Sequence, residues 1–168
     1  MEPIVNKVAE SGLVTLDLAP FLKDCEVTVF DLKPFLFREM ILREKDYRTA
    51  LTEVDWTTYQ HLNVTITCSA DAIIPVWAYM LAASCLQPVA RSVYLGTASE
   101  MEKFLLFESI KRIDESEYAG KRVVIKGCGD LPIPDAAYVA ITEKLRPVVR
   151  SLMYGEPCST VPVYKMKP

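Results

Sequence analysis

What the chain lacks narrows its roles before any motif is considered. It has no excess of basic charge: 19 Lys and Arg stand against 22 Asp and Glu, a formal net charge of -3, with a pI near 5.3. Without a positive field there is no general attraction to phosphate backbones or anionic lipid, so neither nucleic acid nor membrane is expected as a partner. Its longest apolar run is about a dozen residues, too short to cross a bilayer. Met1 to Glu10 lacks the basic start and apolar stretch of a secretory signal, which makes the cytoplasm the expected location. There is no Walker A or GxGxxG motif, and no CxxC spacing of the kind that marks zinc ribbons and thioredoxin-like sites. No low-complexity stretch, no linker rich in glycine and serine and no internal repeat is apparent. In a reducing compartment the five cysteines are expected as free thiols, metal ligands or nucleophiles rather than disulfides.

What is present fits one globular domain over residues 1–168, with 51% hydrophobic and 24% charged residues to fill a core and solvate a surface. Up to about residue 60 the chain reads as short strands and one helix. Leu13 to Leu18 and Cys25 to Leu32 alternate apolar and polar residues, the pattern of paired, half-exposed strands. Glu44 to Val54 places Tyr47, Ala50, Leu51 and Val54 at helical spacing. From residue 61 onward strands and helices alternate. Asn63 to Thr67, Arg91 to Leu95 and Lys121 to Lys126 read as buried strands; Asp71 to Leu86, Ser99 to Ile113 and Asp135 to Met153 read as helices. Thr160 to Lys165 could add an edge strand that tolerates Pro162. The expected fold is therefore α/β: a mainly parallel sheet flanked by helices in Rossmann-like layers, with an N-terminal antiparallel extension.

In an open parallel sheet, ligands bind beyond the carboxyl ends of the strands, where loops and helix N-termini gather. Cys68 ends NVTIT and opens CSADAIIP, Cys128 ends KRVVIK within KGCGDLPIP, and Cys158 lies in GEPCSTVP. Three thiolates suit zinc or iron, including an iron–sulfur cluster, and want a fourth ligand or an open position. Asp71 is the expected fourth ligand; its other reading is a helix-start carboxylate facing free amides. Cys158 reaches the same edge only if the last helix breaks near Pro147 or the chain doubles back after Gly155. A second possibility makes Cys68 a nucleophile, its thiolate favoured by a helix N-terminus or by Lys126. A third is a small anion held at the turn Gly127-Cys128-Gly129. The lone His61 precedes the first parallel strand at its amino end, away from these cysteines, and is expected on the surface. Cys25 and Cys85 are expected to fill the core. Ile73, Ile74, Trp77, Met80, Leu81 and Cys85 form one apolar helix face, and a helix with so little charge suggests coverage by a second subunit, hence a homodimer.

The segments IVNKVAESGLVTLDL, CSADAIIPVWAYML, KRVVIKGCG and GEPCSTVPVYK together resemble the DUF2480 family, uncharacterised bacterial proteins found mostly in Bacteroidetes. The resemblance spans Ile4 to Lys167 and supports the length, the single domain and the bacterial cytoplasm, while supplying no catalytic residue. Genes of the family lie near genes for sulfur mobilisation and iron–sulfur assembly, so the resemblance implies iron–sulfur assembly proteins as partners. The expectation is a metal or iron–sulfur site formed by Cys68, Cys128, Cys158 and Asp71, with an accessory role in metal or sulfur handling. The alternatives are a thiol-dependent enzyme using Cys68 and an interaction module without metal.

Overall fold

A computed structural model describes residues 12–127, 131–156 and 158–167. In chain order the elements are β1 (Leu13–Leu16), α1 (Ala19–Lys23), β2 (Val27–Asp31), β3 (Leu36–Phe37), β4 (Ile41–Leu42), α2 (Glu44–Glu53), β5 (Asn63–Thr67), α3 (Val76–Leu86), β6 (Ser92–Leu95), α4 (Ala98–Arg112), β7 (Arg122–Ile125), α5 (Asp135–Leu145), β8 (Ser151–Glu156) and β9 (Ser159–Lys165). The chain divides into two compact units: a middle unit, Cys25–Phe104, and a terminal unit of Met1–Asp24 with Leu105–Pro168.

Within the middle unit the sheet order is β2-β5-β6, all parallel, and a separate β3-β4 pair is antiparallel. Within the terminal unit the order is β1-β7-β8-β9, parallel except for β8 with β9. The fold is thus α/β with mostly parallel sheets. Among the described residues, no helix is long and apolar enough to cross a membrane.

The two units repeat one another, the first strand and turn of the middle unit matching residues 14 positions earlier in the chain and the rest matching residues 59 positions later. IIPVWAYMLAASCLQPVARSVYLG, residues 73–96, aligns without a gap on PIPDAAYVAITEKLRPVVRSLMYG, residues 132–155. DLKPFL, residues 31–36, likewise aligns on DLAPFL, residues 17–22. Pairing obeys the correspondence: Asn63 is in register with Ser92 as Arg122 is with Ser151, and Val27 with Asn63 as Leu13 with Arg122. The His61 amide donates to the Val89 carbonyl at 2.9 Å, and the Gly120 amide to the Val148 carbonyl at 2.8 Å. The buried apolar positions match as well: Phe30 with Leu16, Tyr47 with Leu106, Leu51 with Ile110, and Leu86 with Leu145. An internal repeat therefore exists where none was expected. Its identities include prolines beside helix ends, glycines after strands and capping aspartates. Those residues set the backbone path and are too scattered to read as a motif.

Three further expectations change. The first is the N-terminal antiparallel extension: β1 and β2 join the large sheets in parallel. Both are edge strands, and a strand exposed on one side alternates in sequence whichever direction its neighbour runs. The second is the helix from Asp71: α3 begins only at Val76, after Pro75 in an extended conformation, because proline disfavours helix in the residue before it. The third is the helix to Met153: α5 stops at Leu145, and Ser151–Glu156 forms β8 between β7 and β9. Pro147 cannot continue a helix, as expected of one of the two routes for Cys158.

In α3 the fully buried positions are Ala78, Ala82 and Leu86, whereas Ile73 and Met80 are exposed. The expected core face is therefore rotated. A helix apolar on every side carries no periodic cue, and the small residues allow the closest approach of the backbone.

Candidate functional site

In the terminal unit the parallel strands β1, β7 and β8 end at one edge. Beyond β1, the Asp17 carboxylate accepts the Ala19 amide at 2.8 Å and the Lys126 ammonium at 3.1 Å. The Ala19 amide above all, joined by Lys126, holds its carboxyl below the ordinary range against the opposing effect of burial. Beyond β7, the Lys126 amide donates to the Leu16 carbonyl at 2.9 Å. The Tyr154 hydroxyl, from β8, donates to the Gly127 carbonyl at 3.3 Å, and the Tyr138 hydroxyl, from α5, reaches the Lys126 carbonyl at 3.5 Å. The two tyrosine rings meet edge to face at 5.4 Å and 84°. These groups, with Asp135 at the start of α5, rim a cleft of about 300 Å³. Gly127 leaves room for the ring: a Cβ there would lie 2.6 Å from a Tyr154 ring carbon and displace it.

The corresponding edge of the middle unit is closed by its own side chains. Asp31 accepts the Lys33 amide at 2.9 Å, the Ser69 amide at 2.9 Å and the Ser69 hydroxyl at 2.5 Å. Burial pushes its carboxyl up, but these donors outweigh it and hold the group below the ordinary range.

Of the residues expected to bind metal, Cys68 and Asp71 belong to the middle unit and Cys128 and Cys158 to the terminal unit. Cys68 is half-buried, and its thiol donates to the Ala70 carbonyl at 3.7 Å. Asp71 is exposed and neither caps nor opens α3, whose N-cap is Pro75. The helix N-terminus invoked to activate Cys68 therefore starts further along the chain, at Val76. Cys158 is exposed in the turn between β8 and β9, so the strand that replaces the expected helix carries it to the carboxyl edge. Cys128 lies outside the described residues, as does Gly129, so of the turn in which an anion was expected only Gly127 is described. Among the described residues, no group of three or more His, Cys, Asp and Glu could hold a metal ion. Cys25 is buried, Cys85 is half-buried with its thiol pushed up by burial, and His61 is exposed beside Gln60.

One residue at this edge escaped the sequence reading. Glu156 ends β8, and its Oε1 is buried without a hydrogen-bond partner among the described residues. It lies within GEPCSTVP, and aligning the repeats would have flagged it: after Gly96 the middle unit continues with Thr97 into α4, whereas after Gly155 the terminal unit continues with Glu156.

Residues 2–166 match the family described as "Protein of unknown function (DUF2480)". No curated protein and no solved structure matches the chain.

Proposed function

The chain belongs to the DUF2480 family, whose description assigns no activity, and from its own residues we propose that it binds a metal ion or iron–sulfur group through thiolates. The site is the carboxyl edge of the terminal unit, and the role is accessory, in metal or sulfur handling. The observation that supports this most is Glu156 Oε1, buried without a hydrogen-bond partner among the described residues, two residues before Cys158. A buried carboxylate oxygen without a donor costs roughly 1–3 kcal/mol, which an adjacent cation would remove. Cys158 adds an exposed thiol, and β7, parallel to β8, leads into the segment that bears Cys128. Two thiolates and one carboxylate suit zinc or iron, and they leave a position open to an exchangeable ligand. A bound metal would supply that exchangeable position, while Asp17, Lys126 and the two tyrosines shape the cleft at the same edge.

Elemental analysis of protein purified without oxygen tests the reading. A stoichiometric metal is expected, lost in Cys128→Ser and Cys158→Ser and weakened in Glu156→Gln. Metal retained in full by all three folded variants, or none in the parent, refutes it. Cys68→Ser and Asp71→Asn decide whether the remaining residues expected from the sequence take part. Iodoacetamide labelling of metal-free protein addresses the thiol-enzyme alternative, which requires a hyperreactive Cys68.

A second reading, contact with another copy of the chain, is favoured by one feature of the middle unit. Ile73, Val76 and Met80 are 93%, 73% and 67% exposed and form an apolar ridge on and just before α3. In the terminal unit the matching residues are Pro132, Asp135 and Val139. A homodimer held by this ridge should dissociate in Met80→Lys, as read by sedimentation velocity.

A further inference from the structure

At the amino edge of the terminal unit's sheet, opposite in strand direction to the cleft, lies an open groove of about 710 Å³. Four cations line it: Arg122, Arg150, Lys165 and Lys167, with no acidic residue among the described lining residues. Strand register brings them together. Arg122 pairs with Ser151 on one side, and Ser151 pairs with Lys165 on the other, so one row crosses three strands. The Met166 amide donates to the Arg150 carbonyl at 2.9 Å, which fixes Lys165 and Lys167 on either side of that contact. Among the described residues, Arg150, Lys165 and Lys167 form no ion pair. Met153 and Pro162, register partners across β8 and β9, supply apolar lining, and so does Tyr164, whose ring carries the Arg146 guanidinium at 4.8 Å.

The repeat supplies an internal comparison. At the matching place in the middle unit stands Asn63, whose amide donates to the Glu26 carbonyl at 3.1 Å and whose Oδ1 accepts the Ser92 hydroxyl at 2.8 Å. That position is closed by neutral hydrogen bonds. In the terminal unit Arg122 replaces the asparagine, and β9, which has no counterpart in the middle unit's sheet, adds both lysines' segment. These two differences add positive charge beside Arg150, whose counterpart Arg91 is also basic, in a chain whose net charge is -3. Gathered like charges repel, and an anion removes that cost. A groove of this volume suits a small molecule rather than a lone ion.

We propose that this groove binds a small molecule bearing two or more phosphoryl groups. The phosphoryl oxygens meet the arginines and lysines, and Met153, Pro162 and Tyr164 receive the remaining body. The absence of a glycine-rich phosphate loop is no obstacle, because side-chain cations rather than backbone amides do the binding.

Isothermal titration with inorganic triphosphate and with adenosine triphosphate tests the proposal on the full-length chain. Binding that weakens as salt rises is expected, and the doubly substituted Arg150→Gln/Lys165→Gln protein should bind at least about tenfold more weakly, while Lys45→Gln in the middle unit changes nothing. Both variants are exposed-surface changes, and an unaltered circular dichroism melt verifies their fold. Equal affinity for the two probes assigns the site to free polyphosphate; tighter nucleotide binding assigns it to a molecule with an organic body. No heat at about millimolar probe, or binding indifferent to the double substitution, overturns the proposal. So does binding of a mixed-sequence oligonucleotide alone.

Discussion

Replacing Gly127 with alanine should destabilise the protein, and the same replacement beside Tyr154→Leu should stabilise it. An alanine Cβ would sit 2.6 Å from Tyr154 Cζ and 2.8 Å from its hydroxyl oxygen, closer than atoms tolerate. Tyr154 is 41% exposed, so its ring can swing into water rather than force the backbone apart. Doing so forfeits the hydrogen bond to the Gly127 carbonyl, worth about 0.5 kcal/mol at so accessible a place. It also forfeits the edge-to-face contact with Tyr138, worth about 1 kcal/mol. Against that loss stands a gain of about 0.5 kcal/mol, because alanine has less freedom to lose on folding. The net is a destabilisation of about 1 kcal/mol, a fall of roughly 3 °C in Tm. With leucine at 154 the clash disappears and only the gain remains. The middle unit already uses that pairing, with Cys68 and Leu95 at the matching positions. Both tryptophans, Trp56 and Trp77, lie in the middle unit, so urea titration followed by far-ultraviolet circular dichroism is the suitable assay. A coupling of about 1.5 kcal/mol between the two sites is expected. Equal destabilisation by Gly127→Ala in both backgrounds would refute the reasoning.

Other outcomes follow from single residues. His61 holds a left-handed φ of 61°, where its counterpart Gly120 has 68°; His61→Gly should raise stability by about 0.5 kcal/mol, the relief of strain less glycine's entropy, and a lower melting temperature would contradict this. Tyr47 is fully buried and donates to the Ala78 carbonyl at 3.2 Å, and burial, followed by Cys85, pushes its hydroxyl up to about 12. Tyr47→Phe removes the second donor to that carbonyl, which keeps its partner within the helix, and should cost about 1 kcal/mol in denaturant titration, whereas an unchanged midpoint would show the bond to be worthless. Asp31 and Asp17 are both held below the ordinary carboxylate range. Each therefore adds stability that is present above about pH 4 and lost as pH falls through the lowered folded values. Asp31→Asn should flatten the acid limb of the stability curve, and an acid limb as steep as the parent's would exclude Asp31 as a source.

The helices at Glu44–Glu53 and Ala98–Arg112 and the strands at Asn63–Thr67 and Arg122–Ile125 were legible within a residue or two. Their apolar residues recur at one period and their ends carry turn residues. β8 was not, because Val148, Val149, Leu152 and Met153 keep a helical spacing on paper while Pro147 turns the chain. The same error hid the repeat, since one of its halves was read as strand and the other as helix. At the candidate site, Cys158 was singled out from its loop-forming neighbours, but its arrival at the carboxyl edge depended on β8. Glu156 gave no cue of its own, because a carboxylate near a strand end is ordinarily solvated.

Local chemistry in the sequence therefore determined the α/β class and most element boundaries. Periodicity and proline act on the chain whatever its partners. Tertiary structure alone decided that β1 and β2 pair in parallel, that Ala78 rather than Met80 faces the core, and that cations distant in sequence line one groove. Each of these depends on which strand lies beside which, and the hydrogen bonds that make that choice join residues too far apart for any local pattern to record.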